Sequence, residues 1–326
     1  MKAAIFTKYG PPDVLRIADV EKPTPADNEV LVEVRAASLN AGDWYLMRGK
    51  PFLVRLTGGL LRPKNRRVGA DLAGKVEAVG RNVTQLRPGD EVFGEIGLGS
   101  GTLAEYACTR EGNLVLKPAG MSFAEAAAVP LAAVTALIGL RDEGKVQPGQ
   151  KVLINGGSGG VGTFAVQIAK ALGAEVTTTC SAGKLELLRS LGADHVIDYA
   201  QADLTRGKER YDLILGVNGY HPIWGYGRAL KPGGTYVMVG GSMGQILQGM
   251  MLGWLISMRS GKKARVVGVG KGRRARAHQD LLFVKELIEA GKVKPVVDRS
   301  YPLSEAAEAF RYAEEGHVRG KVVITT

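Results

Sequence analysis

Ten residues, Leu153 to Gly162, constrain the fold of this chain more than any others. They read Leu-Ile-Asn-Gly-Gly-Ser-Gly-Gly-Val-Gly. A short apolar strand over 151–154 runs into a glycine-rich turn, and a helix-forming stretch over 163–172 follows at once. Gly157, Gly159 and Gly162 fit the spacing G-x-G-x-x-G. The first glycine permits a tight turn, the second lets backbone approach a pyrophosphate, and the third lets helix and strand pack closely. The helix N-terminus offers N–H groups and a positive dipole end to phosphates. Glycine is abundant, 45 of 326 residues, so the spacing alone says little. The strand before it and the helix after it make it specific, and they disfavour the alternative of a glycine-rich surface loop.

The chain is long enough for two domains, each with its own core. Only Cys108 and Cys180 are present. A disulfide framework and a cysteine-built zinc site are therefore not expected, and a reducing, cytoplasmic setting is. Met1–Ile5 runs directly into a strand-like pattern, from which no secretory or transit segment is expected. The formal net charge is +11, with basic clusters at 62–67, 262–265 and 271–276. Aromatic residues make up 6% of the chain and do not interleave with these clusters. That argues against nucleic acid and for solvated faces that also attract a phosphorylated ligand.

Residues 1–120 read as mostly β, with short alternating or apolar runs at 2–7, 29–39, 74–79, 91–95 and 102–109. Turn signals such as Gly10-Pro11-Pro12 and Arg87-Pro88-Gly89-Asp90 separate them, so a compact barrel-like β domain is predicted. The character changes at Ser122. Ser122 and Glu125 have capping-box spacing, and an alanine-rich run predicts a helix over 124–138. Strands and helices then alternate: strand 151–154, helix 162–172, strand 175–179, helix 184–191, and strands 195–197, 211–217 and 235–239. Alternation with short loops predicts a parallel, doubly wound α/β domain over 122–265. The tail carries helices over 278–290 and 304–315 and a last strand over 321–324. It has too few strands for a domain of its own and is expected to complete the first, giving 1–121 with 266–326.

Residues 243–258 are unusually apolar but, at 16 residues, shorter than the roughly 20 needed to cross a bilayer. A buried helix, a substrate-site wall or a subunit contact is the favoured reading; a peripheral membrane contact is the lesser one. Residues 46–62 and 243–262 are expected to shape a substrate pocket.

An NAD-selective fold places an acidic residue about 20 positions beyond the glycines. Here the second strand ends Thr177-Thr-Thr-Cys-Ser181, with no Asp or Glu at its tip. Ser181, Lys184 and Arg189 instead supply a hydroxyl and two cations, which would attract the 2′-phosphate that an acid would repel. NADP(H) is the expected cofactor.

With these residues in hand, the chain resembles a medium-chain dehydrogenase/reductase, and more closely the zinc-free quinone oxidoreductase, zeta-crystallin-like branch. The resemblance covers essentially the whole chain. It rests on Asn40-Ala-Gly-Asp43-Trp44, on Val68-Gly-Ala-Asp71 running to Gly80, on Arg87-Pro-Gly-Asp-Glu-Val-Phe93 and on Gly156–Gly162. Leu191-Gly-Ala-Asp-His-Val-Ile-Asp-Tyr199 and Gly320-Lys-Val-Val-Ile324 complete the set.

The family implies a GroES-like β-barrel catalytic domain, a Rossmann domain, NADPH in the cleft between them, and a homodimer built edge to edge through the Rossmann sheets. Position by position, it implies Gly157, Ser158, Gly159, Gly160 and Val161 at the pyrophosphate. It implies Ser181, Lys184 and Tyr199 around the 2′-phosphate. Thr135, Val239, Gly240, Val269 and Gly270 fall near the nicotinamide. Asn40 faces the nicotinamide and substrate.

Zinc-dependent relatives place a cysteine where this chain has Ala41-Gly42-Asp43, and a His-Glu pair where it has Gly69-Ala70-Asp71. Asp43 and Asp71 alone cannot supply the roughly four donors of a zinc site, so no metal is expected. Alcohol oxidation needs a Lewis acid or strong base to handle the alkoxide. Hydride delivery to a quinone or an α,β-unsaturated carbonyl does not, because charge develops on an oxygen that a few donors can hold. The candidate donors are the Asn40 amide and the Tyr45 hydroxyl. Asp43 is expected to cap the short helix at 44–48. The competing expectations are an alcohol dehydrogenase, and an NADPH-binding sensor or structural protein with little turnover.

Overall fold

A computed structural model describes residues 1–204, 207, 209–217, 223–240, 262–267 and 271–326. The chain divides into two compact units. One holds Met1–Leu131, Arg276–Leu282 and Pro295–Thr326; the other holds Ala132–Ala275 and Phe283–Lys294.

The first unit is built around the Glu29–Ser38 strand, whose alternating Val30, Val32 and Val34 are buried. It pairs antiparallel with Asp71–Val79, Tyr106–Arg110 and Lys321–Thr325. Glu91–Glu95, Leu114–Leu116 and Val297–Pro302 complete a seven-stranded sheet. The C-terminal strand thus lies directly against the central strand of the N-terminal sheet. Leu72, Val92, Leu103, Phe310 and Ile324 pack into this core.

Two registers align polar residues of this sheet. Ser38 stands opposite Asp71. Val323 stands opposite Ser38, which carries Lys321 to the level of Asn40. Because side chains alternate along a strand, Ser38 and Asn40 share one face, as do Lys321 and Val323.

In the second unit, six strands among the described residues form a wholly parallel sheet. Its spatial order is His195–Asp198, Glu175–Cys180, Lys151–Asn155, Tyr211–Gly216, Leu230–Met238, Lys263–Val266. In chain order that is third, second, first, fourth, fifth, sixth, the doubly wound arrangement whose order reverses between the first and fourth strands. The strands are apolar on both faces, as a sheet covered on both sides requires. Tyr226 and Tyr236 stack with ring centroids 4.7 Å apart in its core.

The Ser122 capping box is formed: Ser122 N donates to Glu125 Oε2 at 2.9 Å and Glu125 N donates to Ser122 Oγ at 3.2 Å. The single helix expected over 124–138 is two, Phe123–Ala127 and Pro130–Leu137. Pro130 has no N–H to continue the first helix but fits the first turn of the second. The strand expected over 102–109 starts only at Tyr106. The residues before it meet the first strand through one isolated bridge, Ala3 to Ala104. The helix expected over 278–290 begins earlier, spanning Lys271–Glu289. No helix among the described residues is long and apolar enough to cross a membrane.

Candidate functional site

The chemistry-bearing residues fall into two groups, one in each unit. In the second unit they line the carboxyl edge of the parallel sheet. The Lys151–Asn155 strand ends at Gly156, and the helix Gly160–Ala171 begins with Gly159 as its N-cap. Two bonds hold the turn to the neighbouring strand: Gly156 N donates to Thr179 Oγ1 and Gly157 N to Thr179 O, both at 3.1 Å. Thr179 in turn donates to Asn155 Oδ1 at 2.7 Å, and Asn155 Nδ2 donates to Tyr226 Oη at 2.7 Å. This buried Thr179–Asn155–Tyr226 chain, for which no sequence motif gives a signal, rigidifies the turn from beneath.

The glycines are not interchangeable. A Cβ on Gly162 would lie 2.2 Å from Gly156 O, so only glycine lets helix and turn close to this distance. A Cβ on Gly159 would meet nothing within 4 Å. That side of the turn is open, and Ser158, Gly160 and Val161 flank it. The first-turn amides there have no carbonyl four residues back and so suit an anion.

One strand over, Glu175–Cys180 ends at Ser181, which leads a short turn of helix, Ala182–Lys184. Tyr199 N donates to Cys180 O at 3.2 Å, setting Tyr199 beside Ser181. The structure therefore brings Ser181, Lys184 and Tyr199 to one strand tip, with the Tyr199 ring more than half exposed. Arg189 pairs with Glu186 at 3.5 Å, on the exposed face of its helix. Asp198, which stands opposite Cys180 in the ladder, is buried and accepts from Ala200 N at 3.0 Å.

Further along the same edge, Val239 N donates to Gly216 O at 2.9 Å and Val217 N to Asn155 O at 3.0 Å. Thr135 is buried on the Pro130–Leu137 helix. One turn on, a Cβ at Gly139 would touch Leu215 at 2.8 Å and Val239 at 3.5 Å. That packing sets the helix carrying Thr135 against the strands leading to Val239 and Gly240. Val269, Gly270 and the apolar stretch 243–258 lie outside the described residues.

In the first unit the registers given above produce a buried polar cluster. Asp71 Oδ2 accepts from Ser38 Oγ and from Asn40 Nδ2, each at 3.0 Å, and Asp71 Oδ1 accepts from Leu131 N at 3.1 Å. Lys321 Nζ donates to Asn40 Oδ1 at 2.5 Å and lies 3.5 Å from Asp71 Oδ2. Asn40 Nδ2 also points at Ser38 O, at a long 3.4 Å. Asn40 caps the helix Ala41–Arg48; Asp43 is its third residue, and Asp43 Oδ2 accepts from Asn40 N at 2.9 Å. The helix thus starts at Ala41 rather than 44, and its N-cap is Asn40 rather than Asp43, which closes the capping box from the third position. Tyr45 follows, 42% exposed and edge-on to Trp44.

Sequence reasoning named Asn40 and missed Lys321 as its partner. The available signal was a lysine opening the otherwise apolar run Lys-Val-Val-Ile.

Burial, the largest influence, pushes the Asp43 carboxyl up to about 7. The Asn40 N–H opposes it, the Asp71 carboxylate adds to it, and Lys321 opposes it. Burial likewise pulls the Lys321 ammonium below its usual range, against the attraction of Asp71 and Asp43. Below pH 7 the Asp43 carboxyl therefore holds its proton.

A stability effect follows with definite sign. The folded-state value for Asp43 lies above the unfolded one of about 3.9, so the native state holds this proton more tightly. The stability it contributes is complete below about pH 4 and is lost as pH rises through 7. Asp43→Asn, neutral throughout, is expected to shrink the fall in Tm between pH 5.5 and pH 8. An undiminished fall in thermal unfolding would contradict this assignment.

The zinc that such a scaffold carries in some relatives does not fit these residues. A zinc site wants about four N, S or O donors in a tetrahedron. The positions in question offer Asp43 and Asp71, already bonded to Asn40, Ser38 and Leu131, with an ammonium beside them. No thiolate or imidazole joins them, and the described residues hold no group of three or more His, Cys, Asp or Glu able to hold a metal.

Residues 26–119 match the alcohol dehydrogenase GroES-like domain family, and residues 191–324 match the zinc-binding dehydrogenase family. The chain is 36% identical to 2-methylene-furan-3-one reductase of Solanum lycopersicum, over 99% of this chain and 79% of the relative. It is 34% identical to the chloroplastic NADPH-dependent alkenal/one oxidoreductase of Arabidopsis thaliana, with the same coverage, 99% and 79%. The solved structure of the quinone oxidoreductase from Coxiella burnetii superposes with a TM-score of 0.84 at 31% identity, covering 100% of this chain and 99% of that one.

Proposed function

This chain belongs to the medium-chain dehydrogenase/reductase family, and from that premise we propose that it is an NADPH-dependent reductase of quinones or α,β-unsaturated carbonyls that works without a metal. The observation that carries this reading is the carboxyl edge of the parallel sheet. An open glycine turn stands beside a strand tip bearing Ser181, Lys184 and Tyr199, with no acid where an NAD-selective fold puts one.

NADPH, when bound, supplies a hydride to the electrophilic carbon of the acceptor. Gly157, Ser158, Gly159, Gly160 and Val161 receive its pyrophosphate, and Ser181, Lys184 and Tyr199 its 2′-phosphate. Thr135, Val239, Gly240, Val269 and Gly270 border its nicotinamide. Asn40 and the Tyr45 hydroxyl hold the carbonyl oxygen on which negative charge develops. Asn40 can do this because its two N–H groups are unequal. The one held by Asp71 at 3.0 Å orients the amide, and the one at a long 3.4 Å from Ser38 O is only weakly engaged and is the donor left for an oxyanion. Lys321 on Asn40 Oδ1 polarises the amide and strengthens that donor. Tyr45 or water then delivers the proton to the α-carbon.

The competing alcohol dehydrogenase reading needs a Lewis acid, and the donor set around Asp43 and Asp71 disfavours one. The homodimer is proposed edge to edge through the parallel sheets, whose last strand among the described residues is Lys263–Val266. Unpaired Cys108 and Cys180 suit a reducing compartment, in keeping with the cytoplasmic assignment.

Cofactor choice gives a direct test. Lys184→Ala is expected to raise the NADPH Kd about tenfold or more, the cost of one charge-assisted bond, while the NADH Kd stays within about twofold. Equal losses for both cofactors in a fluorescence titration would show that Lys184 does not read the 2′-phosphate.

A further inference from the structure

Residues 52–62, expected to border a substrate pocket, belong to a segment of the first unit, 52–67, whose surface carries a feature that hydride transfer does not require. Among the described residues eleven large apolar side chains are exposed, and four of them lie within ten consecutive positions: Phe52, Leu56, Leu60 and Leu61. Leu61 is 86% exposed, a value for a side chain with almost no protein around it. A soluble surface seldom gathers apolar side chains this way unless something covers them.

The segment is also tied down. Leu53–Gly58 is a short helix, Gly59 N donates to Arg55 O at 2.9 Å, and Lys64 N donates to Gly58 O at 2.7 Å. The Tyr9 hydroxyl donates to Gly59 O at 2.7 Å, and Pro63 is buried. The leucines are thus held outward by a fixed backbone.

Charge identifies the partner. Arg62, Lys64 and Arg66 follow the leucines directly, all exposed, with no ion pair formed by any of them among the described residues. From Trp44 to Ala70 the sequence contains no Asp or Glu at all. Leucines beside unneutralised cations are the two components of interfacial membrane binding: aliphatic side chains enter the boundary between headgroups and acyl chains while cations meet lipid phosphates. Nucleic acid would use the cations and leave the leucines in water. A second copy docking through the same face would set Arg62, Lys64 and Arg66 near their own equivalents, since a two-fold interface is self-complementary, and like charges oppose that.

We propose that residues 52–67 form a docking surface for an anionic lipid bilayer. The protein binds peripherally, with Leu60 and Leu61 inserted and Arg62, Lys64 and Arg66 on the headgroups.

Co-sedimentation of the full chain with vesicles tests this. The expected result is binding to phosphatidylcholine vesicles containing phosphatidylglycerol, about tenfold or more above binding to phosphatidylcholine alone, and weakening with added salt. The triple change Arg62→Glu, Lys64→Glu, Arg66→Glu and the pair Leu60→Ser, Leu61→Ser should each lower that binding about tenfold or more. Because these side chains are exposed, the thermal unfolding midpoint of each variant should match the parent. No binding to the anionic vesicles at low salt would overturn the proposal, as would binding that neither variant weakens. So would an analytical ultracentrifugation result in which Leu60→Ser, Leu61→Ser splits a dimer, because a second copy would then be the occupant.

Discussion

Lys321→Met should destabilise the protein by about 3–5 kcal/mol, among the largest losses a single change can cause here. The Lys321 side chain is 4% exposed and that of Asp71 is not exposed at all. Removing the ammonium leaves the Asp71 carboxylate buried with hydrogen bonds but no counter-charge, and leaves Asn40 Oδ1 without its donor. A methionine of similar length fills the space, so the loss reports charge and hydrogen bonding rather than a cavity. The pair is coupled. Adding Asp71→Asn to Lys321→Met removes the stranded charge and should return part of the loss, making the double variant more stable than the sum of the two singles by about 1–3 kcal/mol. Urea unfolding of the four proteins measures this, and strict additivity would mean that Lys321 does not neutralise Asp71.

The same cluster shows where sequence reading stops. The glycine turn, the strand and helix either side of it, and the Ser122 box were legible because each is a local pattern whose parts lie within a dozen residues. The break at Pro130 was legible in principle, since proline cannot continue a helix, but the alanines around it masked it. The polar strands Leu15–Asp19 and Val297–Pro302 were not, because neither carries an apolar run or a clear alternation. The bond from Lys321 to Asn40 joins positions 281 apart. It depends on a strand register set by tertiary packing, which no spacing in the sequence encodes. Sequence alone therefore named Asn40 as a donor, and the structure adds what orients it. Ser181 and Lys184 were named from the absence of an acid and Tyr199 from the family resemblance, and the strand ladder explains why they meet: Asp198 pairs with Cys180, so the residues that follow each reach one tip.

The second large effect concerns the reaction. Reduction of a conjugated acceptor spreads negative charge onto a carbonyl oxygen that hydrogen-bond donors can hold, whereas a saturated ketone or alcohol calls for an alkoxide and a Lewis acid. The cation nearest Asn40 is the Lys321 ammonium, buried against Asp71, which can polarise Asn40 but cannot coordinate a substrate. NADPH-driven turnover of an enone or a quinone should therefore exceed that of a saturated ketone by at least about a hundredfold, near 3 kcal/mol of barrier.

The most direct measurement is NADPH consumption by the purified protein against a panel of enones, quinones and saturated ketones, with and without a strong chelator. The account predicts acceptor-dependent oxidation of NADPH by the conjugated compounds, at a rate the chelator leaves unchanged. Activity that the chelator abolishes and zinc restores would contradict it, and so would tight NADPH binding with no turnover anywhere on the panel.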